Sequence, residues 1–330
     1  MPNFSGVWNL KEQIQAVAAG RWTGLPVYEL YAWGNAGAGR LGDDSIINKS
    51  SPIQIGALND WQKLSVSGHS LSIKTNGTLW SWGLNNLGQL GIGDNANRSS
   101  PVQIGSLTNW AVIGAGLRSS AAIKTDNTLW AWGGNTSGAL GDGTTLHRSS
   151  PIQVGALTNW AVVSGGSYFF SAIKTDGTMW AWGLNGTGRL GDGTTANKSS
   201  PVQIGALTSW SQVSAGNYNA SAIKTDGTLW GWGINTNSGS VGDGTLINRS
   251  SPVQIGALTN WSQVGLGNQH SIAVKTDGTL WAWGRNAFGN LGDDTTINKS
   301  SPVHVGALSN WSYISAGSYH THAIFQGSSN

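Results

Sequence analysis

"KTDGTLWAWG" occupies residues 275–284. Near-copies stand at 74–83, 124–133, 174–183 and 224–233, and a frayed version, "YELYAWG", ends at Gly34. The second tryptophan of the motif falls at Trp33, Trp82, Trp132, Trp182, Trp232 and Trp283, at intervals of 49, 50, 50, 50 and 51 residues. The prolines of "SSP" keep the same period at Pro52, Pro101, Pro151, Pro201, Pro252 and Pro302. A third column keeps it at Trp61, Trp110, Trp160, Trp210, Trp261 and Trp311. Three independent landmarks on one period establish an internal repeat, and a repeat of this length marks a solenoid, a propeller or an array.

Each unit reads as four short β segments. In "TLWAWG" Leu280 and Ala282 alternate with Trp281 and Trp283, the period-two pattern of a strand. In "PVQIG" Val253 and Ile255 alternate with Gln254, and proline suits a strand's first position. "WSQVSAG" is the third segment. The fourth, "HSIAVKTDG", ends in an Asp-Gly turn leading straight back to the tryptophan strand. A long loop rich in turn formers, such as "LNGTGRLGDGTTANKSS" (184–200), joins the first two. A sheet this small cannot bury both faces alone, whereas six of them around an axis pack on one another. The tryptophans at 33, 82, 132, 182, 232 and 283 are then structural wedges between adjacent sheets, each stabilising by roughly 2–3 kcal/mol by area.

The first unit begins late, at the tryptophan strand, and the last ends early, after "WSYISAGSYHTHAIF" (311–325). The missing pieces are complementary. The expectation is an all-β, six-bladed β-propeller spanning 25–330, its last blade closed by the N- and C-terminal strands. "VAAGRW" (17–22) echoes "VSAGNY" (213–218), which leaves a seven-bladed alternative open.

Composition narrows the function classes. Charged residues are 10% of the chain, against about 25% in average proteins. Net charge is +3, with no basic run or arginine cluster in the sequence, which argues against nucleic acid as a partner. The absence of cysteine excludes disulfides, thiolate metal sites and cysteine nucleophiles. No apolar run approaches the roughly 20 residues of a membrane span, and "MPNFSGVWNLKEQIQ" lacks the features of a secretory signal.

"LWSWGLNNLGQLG" (79–91) and "WSQVGLGNQHSIAVKTDG" (261–278) resemble the units of the regulator-of-chromosome-condensation repeat family, over roughly residues 25–325. The resemblance implies a β-propeller; well-studied members usually have seven blades. It does not imply one function. The family's founder is a guanine-nucleotide exchange factor for a small nuclear GTPase and also binds chromatin. Its exchange factors use a wedge protruding between propeller strands, and the units here vary by only one residue in length. The family's plant ultraviolet-B photoreceptor clusters tryptophans among arginines on a dimer face, a pattern this chain lacks. Its bacterial β-lactamase inhibitors clamp their target with one propeller face, an analogy for a binding surface.

The leader, residues 1–24, is the only part that is not propeller. "NFSGVWNLKEQIQAVAAGRW" resembles the opening of structural proteins of tailed bacteriophages. The spacing predicts one amphipathic helix, with Ser5 as N-cap, Val7, Leu10, Ile14 and Val17 on one face, and Gly20 as the stop. This helix serves either as a cap on the propeller edge or as an attachment or oligomerisation element.

No catalytic constellation appears, and no metal or cofactor is expected. None of the six histidines forms an HExxH-like pattern. His320 and His322 share a strand face, the spacing of a two-histidine metal site, and are read as packing residues of the terminal blade rather than as ligands. The aspartates after "LG" (Asp43, Asp142, Asp192, Asp243, Asp293; Ile92 in the remaining unit) are read as turn residues bonding their own backbone. The cations Lys49, Arg98, Arg148, Lys198, Arg249 and Lys299 either face an anionic polymer or pair with the neighbouring unit's aspartates.

The units disagree most just after the "AG" segment. There they present Arg118, Tyr168, Phe169, Tyr218, Asn219, Gln269, His270, Tyr319 and His320, which the propeller gathers on one face. These side chains mix apolar area with hydrogen bonding and suit protein or sugar contacts. With the leader, they lead to the expectation of a non-enzymatic bacteriophage structural, virion-associated protein that binds other virion proteins or a host-surface protein or glycan. The alternatives are a regulatory protein-interaction module such as a GTPase exchange factor, and a polysaccharide-acting enzyme on a propeller scaffold.

Overall fold

The computed structural model describes residues 29–57, 60–317 and 320–326. The expected helix over 1–24, with Val7, Leu10, Ile14 and Val17, lies outside these residues, as do the 17–22 echo and Tyr319. The described residues are all-β apart from a single 3-10 turn at Gly37–Gly39.

Among the described residues twenty-four strands follow the repeat. A two-stranded sheet comes first among the described residues: β1 (Tyr31–Gly34) and β2 (Lys49–Gln54). The first complete sheet is β3 (Trp61–Val66), β4 (His69–Lys74), β5 (Leu79–Gly83) and β6 (Arg98–Gln103). The second is β7 (Trp110–Ala115), β8 (Ser119–Lys124), β9 (Leu129–Gly133) and β10 (Arg148–Gln153). The third is β11 (Trp160–Gly165), β12 (Phe169–Lys174), β13 (Met179–Gly183) and β14 (Lys198–Gln203). The fourth is β15 (Trp210–Ala215), β16 (Asn219–Lys224), β17 (Leu229–Gly233) and β18 (Arg249–Gln254). The fifth is β19 (Trp261–Leu266), β20 (His270–Lys275), β21 (Leu280–Gly284) and β22 (Lys299–His304). A second two-stranded sheet ends the chain: β23 (Trp311–Ala316) and β24 (Thr321–Phe325). Each of the four strand types therefore occurs six times, the content of six four-stranded blades in a β-propeller.

All pairings are antiparallel between sequence neighbours, in one register throughout. His69 opposes Gly83 in the first blade as His270 opposes Gly284 in the fifth. The strands that begin with tryptophan lie innermost, because those of successive blades touch. Backbone amides of Ala115, Ala215 and Leu266 donate to Ser65 Oγ (2.9 Å), Ser164 Oγ (3.0 Å) and Ser214 Oγ (3.2 Å) of the preceding blade.

Between blades lies the core. Trp82, Trp132, Trp182, Trp232 and Trp283 are at most 2% exposed. Each donates its indole N–H to a carbonyl of the preceding blade's long loop: Arg40, Gln89, Ala139, Arg189 and Ser240, at 2.9–3.1 Å. The glycine two residues after each acceptor leaves room for the ring. A Cβ on Gly91 would stand 2.6 Å from Trp132 Nε1, and one on Gly242 the same distance from Trp283 Nε1.

Two expectations need correction at the seam. β24 and β1 do not share a blade; their sheets are separate. Trp33 is accordingly no buried wedge but 53% exposed. The reason is the missing neighbour: among the described residues no preceding long loop lies over Trp33. Gly292, which occupies the equivalent of Gly242, meets only Val305 rather than an indole.

Candidate functional site

The register puts two sets of loops at one end of the propeller. The turns between first and second strands (such as 116–118) lie beside the starts of the long loops between third and fourth strands, because Ser119 pairs with Gly133. The hairpins between second and third strands occupy the opposite end.

On the turn face, Arg118 is exposed, with its guanidinium carbon 6.0 Å from the centroid of the Tyr168 ring. Tyr168 is half-buried and Tyr218 is 37% exposed. Beneath Tyr218 lies the guanidinium of Arg189, 5.2 Å from the ring centroid and donating from Nη1 to the Asn217 carbonyl (3.2 Å). Arg189 is buried, and burial lowers its pKa. Half-buried Gln269 accepts a bond from Arg285 Nη1 (3.3 Å). Neighbouring turns are laced together: Asn217 Nδ2 donates to Asn268 Oδ1 (2.9 Å) and Leu117 N to the Gly166 carbonyl (3.2 Å). Arg40 Nε donates to the Gly68 carbonyl (3.0 Å).

Three residues expected on this face are instead in the core. Phe169 and Asn219 are fully buried and His270 is 1% exposed, together with their counterparts His69 and Ser119. They open the second strand, whose side chains point between blades. Here they join blades: His69 Nε2 lies 2.6 Å from Ser120 Oγ, and His270 Nε2 lies 3.1 Å from Thr321 Oγ1. Burial pushes the His69 imidazole down to about 3. His270 falls to about 4, through burial and then the charge of His320. His320, at the seam, is exposed, and its ring centroid lies 5.0 Å from that of His322. Among the described residues no three potential metal ligands cluster.

The charged columns are internal fasteners. Each rim cation pairs with an aspartate of its own unit rather than a neighbour's. Arg148 Nη2 meets Asp142 (3.0 Å), Arg249 Nη2 meets Asp243 (2.6 Å) and Lys198 meets Asp192 (3.3 Å). In the unit with Ile92, Asp94 pairs with Arg98 instead. Burial alone would raise the Asp142 carboxyl, but hydrogen bonds from Thr144 and Arg148 hold it below the usual carboxylate range. A buried asparagine anchors the same loop: Asn135 Nδ2 donates to Asp142 Oδ1 (3.1 Å) and to the Leu146 carbonyl (3.1 Å).

Sequence reading missed two features. Lysines of the KTDG hairpins sit against indoles: Lys174 Nζ is 3.6 Å from the Trp180 ring centroid and 4.9 Å from that of Trp160. Burial lowers the pKa of Lys124, Lys174 and Lys275. The period-two spacing of Lys124 from Ala122, on the face of its strand that packs inward, was the available signal. The second is the variable residue of "GxLG", Arg40 and Arg189 among them, which lies under the turn face although it is far from the turns in sequence.

Comparison with known proteins follows the same units. The profile described as the regulator of chromosome condensation (RCC1) repeat matches residues 76–123, 126–173, 176–223, 226–274 and 277–324. A second profile of that description matches 210–238 and 261–290. The fold is similar to human WBSCR16, at 19% identity and a TM-score of 0.81, covering 90% of this chain and 81% of that one. It is similar to Prp20p from Saccharomyces cerevisiae at 18% identity and a TM-score of 0.80, covering 91% and 79%. These identities establish likeness of fold. No curated protein sequence is significantly similar to the chain. The expectation of a bacteriophage virion protein is overturned: the matched repeats and these structures are of the chromosome-condensation-regulator type, and none is a virion protein. A short leader motif was outweighed by five full repeats.

Proposed function

Because this chain belongs to the regulator of chromosome condensation (RCC1) repeat family, we propose that it is a regulatory protein-interaction module that engages its partner with the turn face. One observation carries this reading. Elsewhere the units repeat one another and satisfy their charges internally, whereas the turn face presents different exposed or half-exposed side chains from blade to blade: Arg118, Tyr168, Tyr218 and Gln269. Tyrosine and arginine are the residues that most often dominate binding energy at protein interfaces. Prp20p, whose structure is described with its binding properties to Gsp1p and histones, makes a GTPase or a chromatin protein a first candidate. For an exchange factor the uniform repeat length leaves no inserted wedge among the units, so partner binding without accelerated nucleotide release is the expected behaviour.

The test is site-specific photocrosslinking in the cells that express the protein. A crosslinker at position 118 or 218 should trap a protein that one at Asn76 or Asp126, on the opposite end, does not. Adducts formed only from the opposite end would overturn the assignment of the face.

A further inference from the structure

The turn face has a charge distribution that its repeat sequence conceals. Four arginines converge there: Arg118 from a turn, and Arg40, Arg189 and Arg285 from the starts of three long loops. No aspartate or glutamate occurs in the turns 67–68, 116–118, 166–168, 216–218 and 267–269. None occurs in the loop starts 34–41, 83–90, 133–140, 183–190, 233–241 and 284–291 either. The carboxylates of this end begin only after "LG", farther along each loop, and there each unit holds one against its own lysine or arginine. At the opposite end charges balance locally, since Lys124, Lys174, Lys224 and Lys275 each stand two residues from an aspartate. Arg118, Arg40 and Arg189 make no ion pair among the described residues, and Arg189 Nε, buried beneath Tyr218, has no hydrogen-bond acceptor. A buried donor without a partner is destabilising, so an anion reaching it gains more than one meeting a hydrated surface cation.

We propose that the turn face binds an acidic segment of a partner protein, whose aspartate or glutamate carboxylates seat on Arg118 and Arg189 between the Tyr168 and Tyr218 rings. The inference rests on the reading of this face as the contact surface and adds the chemistry of the partner. Guanidinium groups pair bidentately with carboxylates, and the flanking phenol rings exclude water from the pairs. A nucleic acid fits worse. Phosphate-backbone binding draws its affinity from many lysine and arginine contacts spread along the polymer, and four arginines are present here, one of them buried. The next residues outward are aspartates, which repel a polyanion longer than the central patch and tolerate a short acidic segment.

Fluorescence anisotropy with a labelled oligoglutamate peptide tests this, with oligoglutamine of equal length and single-stranded oligodeoxythymidine as comparisons. The expected result is saturable, salt-sensitive binding of oligoglutamate, no binding of oligoglutamine, and weaker binding of the oligonucleotide. Arg118→Gln combined with Arg285→Gln should weaken oligoglutamate binding at least about tenfold, with an unchanged melting temperature showing that the fold is intact. Arg118→Glu should abolish it. Absence of oligoglutamate binding, indifference to these substitutions, or tighter binding of the oligonucleotide overturns the proposal. If photocrosslinks still form from positions 118 and 218 while oligoglutamate does not bind, the contact face stands and the acidic partner falls.

Discussion

Trp132 reaches across the boundary between two blades and donates its indole N–H to the carbonyl of Gln89 at 2.9 Å. Among the described residues the same bond recurs at five boundaries and is not made by Trp33. One side chain thus fills the inter-blade space and fixes the neighbouring loop. Trp182→Phe, which keeps much of the ring and deletes the donor to Ala139, should cost about 2–3 kcal/mol. Trp33→Phe should stay within about 0.5 kcal/mol. Denaturant melts of the two variants check this, and equal losses would show that the first indole is buried in solution.

The glycine facing that ring should be as intolerant. Gly91 has φ +71°, and a Cβ there would stand 2.6 Å from Trp132 Nε1. Gly91→Ala combines left-handed backbone strain with overpacking, together about 2–4 kcal/mol. Gly105, at φ +59° with open space around it, carries only the backbone part, about 1–2 kcal/mol. The difference between the two alanine variants isolates the contact with the indole.

Adjacent residues of the third blade should behave oppositely. Phe169 is fully buried, so Phe169→Ala should lose about 3–5 kcal/mol. Tyr168→Ala and Tyr218→Ala should each change stability by less than about 1 kcal/mol while weakening partner capture. A large drop in melting temperature for either tyrosine variant would place those rings in the core.

Acid should loosen the fold before the carboxylates titrate. His69 and His270 have folded values of about 3 and about 4, against the ordinary 6.5. The unfolded chain therefore binds more protons below 6.5, and stability falls as pH drops from there towards those values. The slope approaches about 1.4 kcal/mol per pH unit for each histidine. Asparagine occupies the equivalent position at Asn219, so His69→Asn with His270→Asn should flatten stability between about pH 6.5 and 4.5. A slope unchanged in the double variant would mean that other groups set it.

The rim loops should depend on their aspartates. Asp243 accepts from Asn235, Thr245 and Arg249. Asp243→Asn leaves Arg249 without its carboxylate and should cost about 1–3 kcal/mol, with faster amide exchange confined to residues 235–249. Exchange unchanged in that loop would show the ion pair to be incidental.

Much of this protein was legible before any coordinates. Period-two alternation in a chain of near-identical units specifies strands, and six copies of each landmark specify six of each strand type, because local pattern and packing demand agree in every unit. The structural role of Trp82 and its four buried counterparts followed from their repetition. Only the tertiary structure decided which side of a strand each variable residue occupies. Tyr168 and Phe169 are neighbours in sequence, yet one lies at the surface and the other is sealed between blades, since Tyr168 belongs to the turn whereas Phe169 opens β12, a strand buried along its whole length. It alone brought Arg189 beneath Tyr218, twenty-nine residues on, and left Trp33 uncovered. Such contacts depend on which blade stands next in space, and the repeat, being the same in every unit, carries no record of its neighbour.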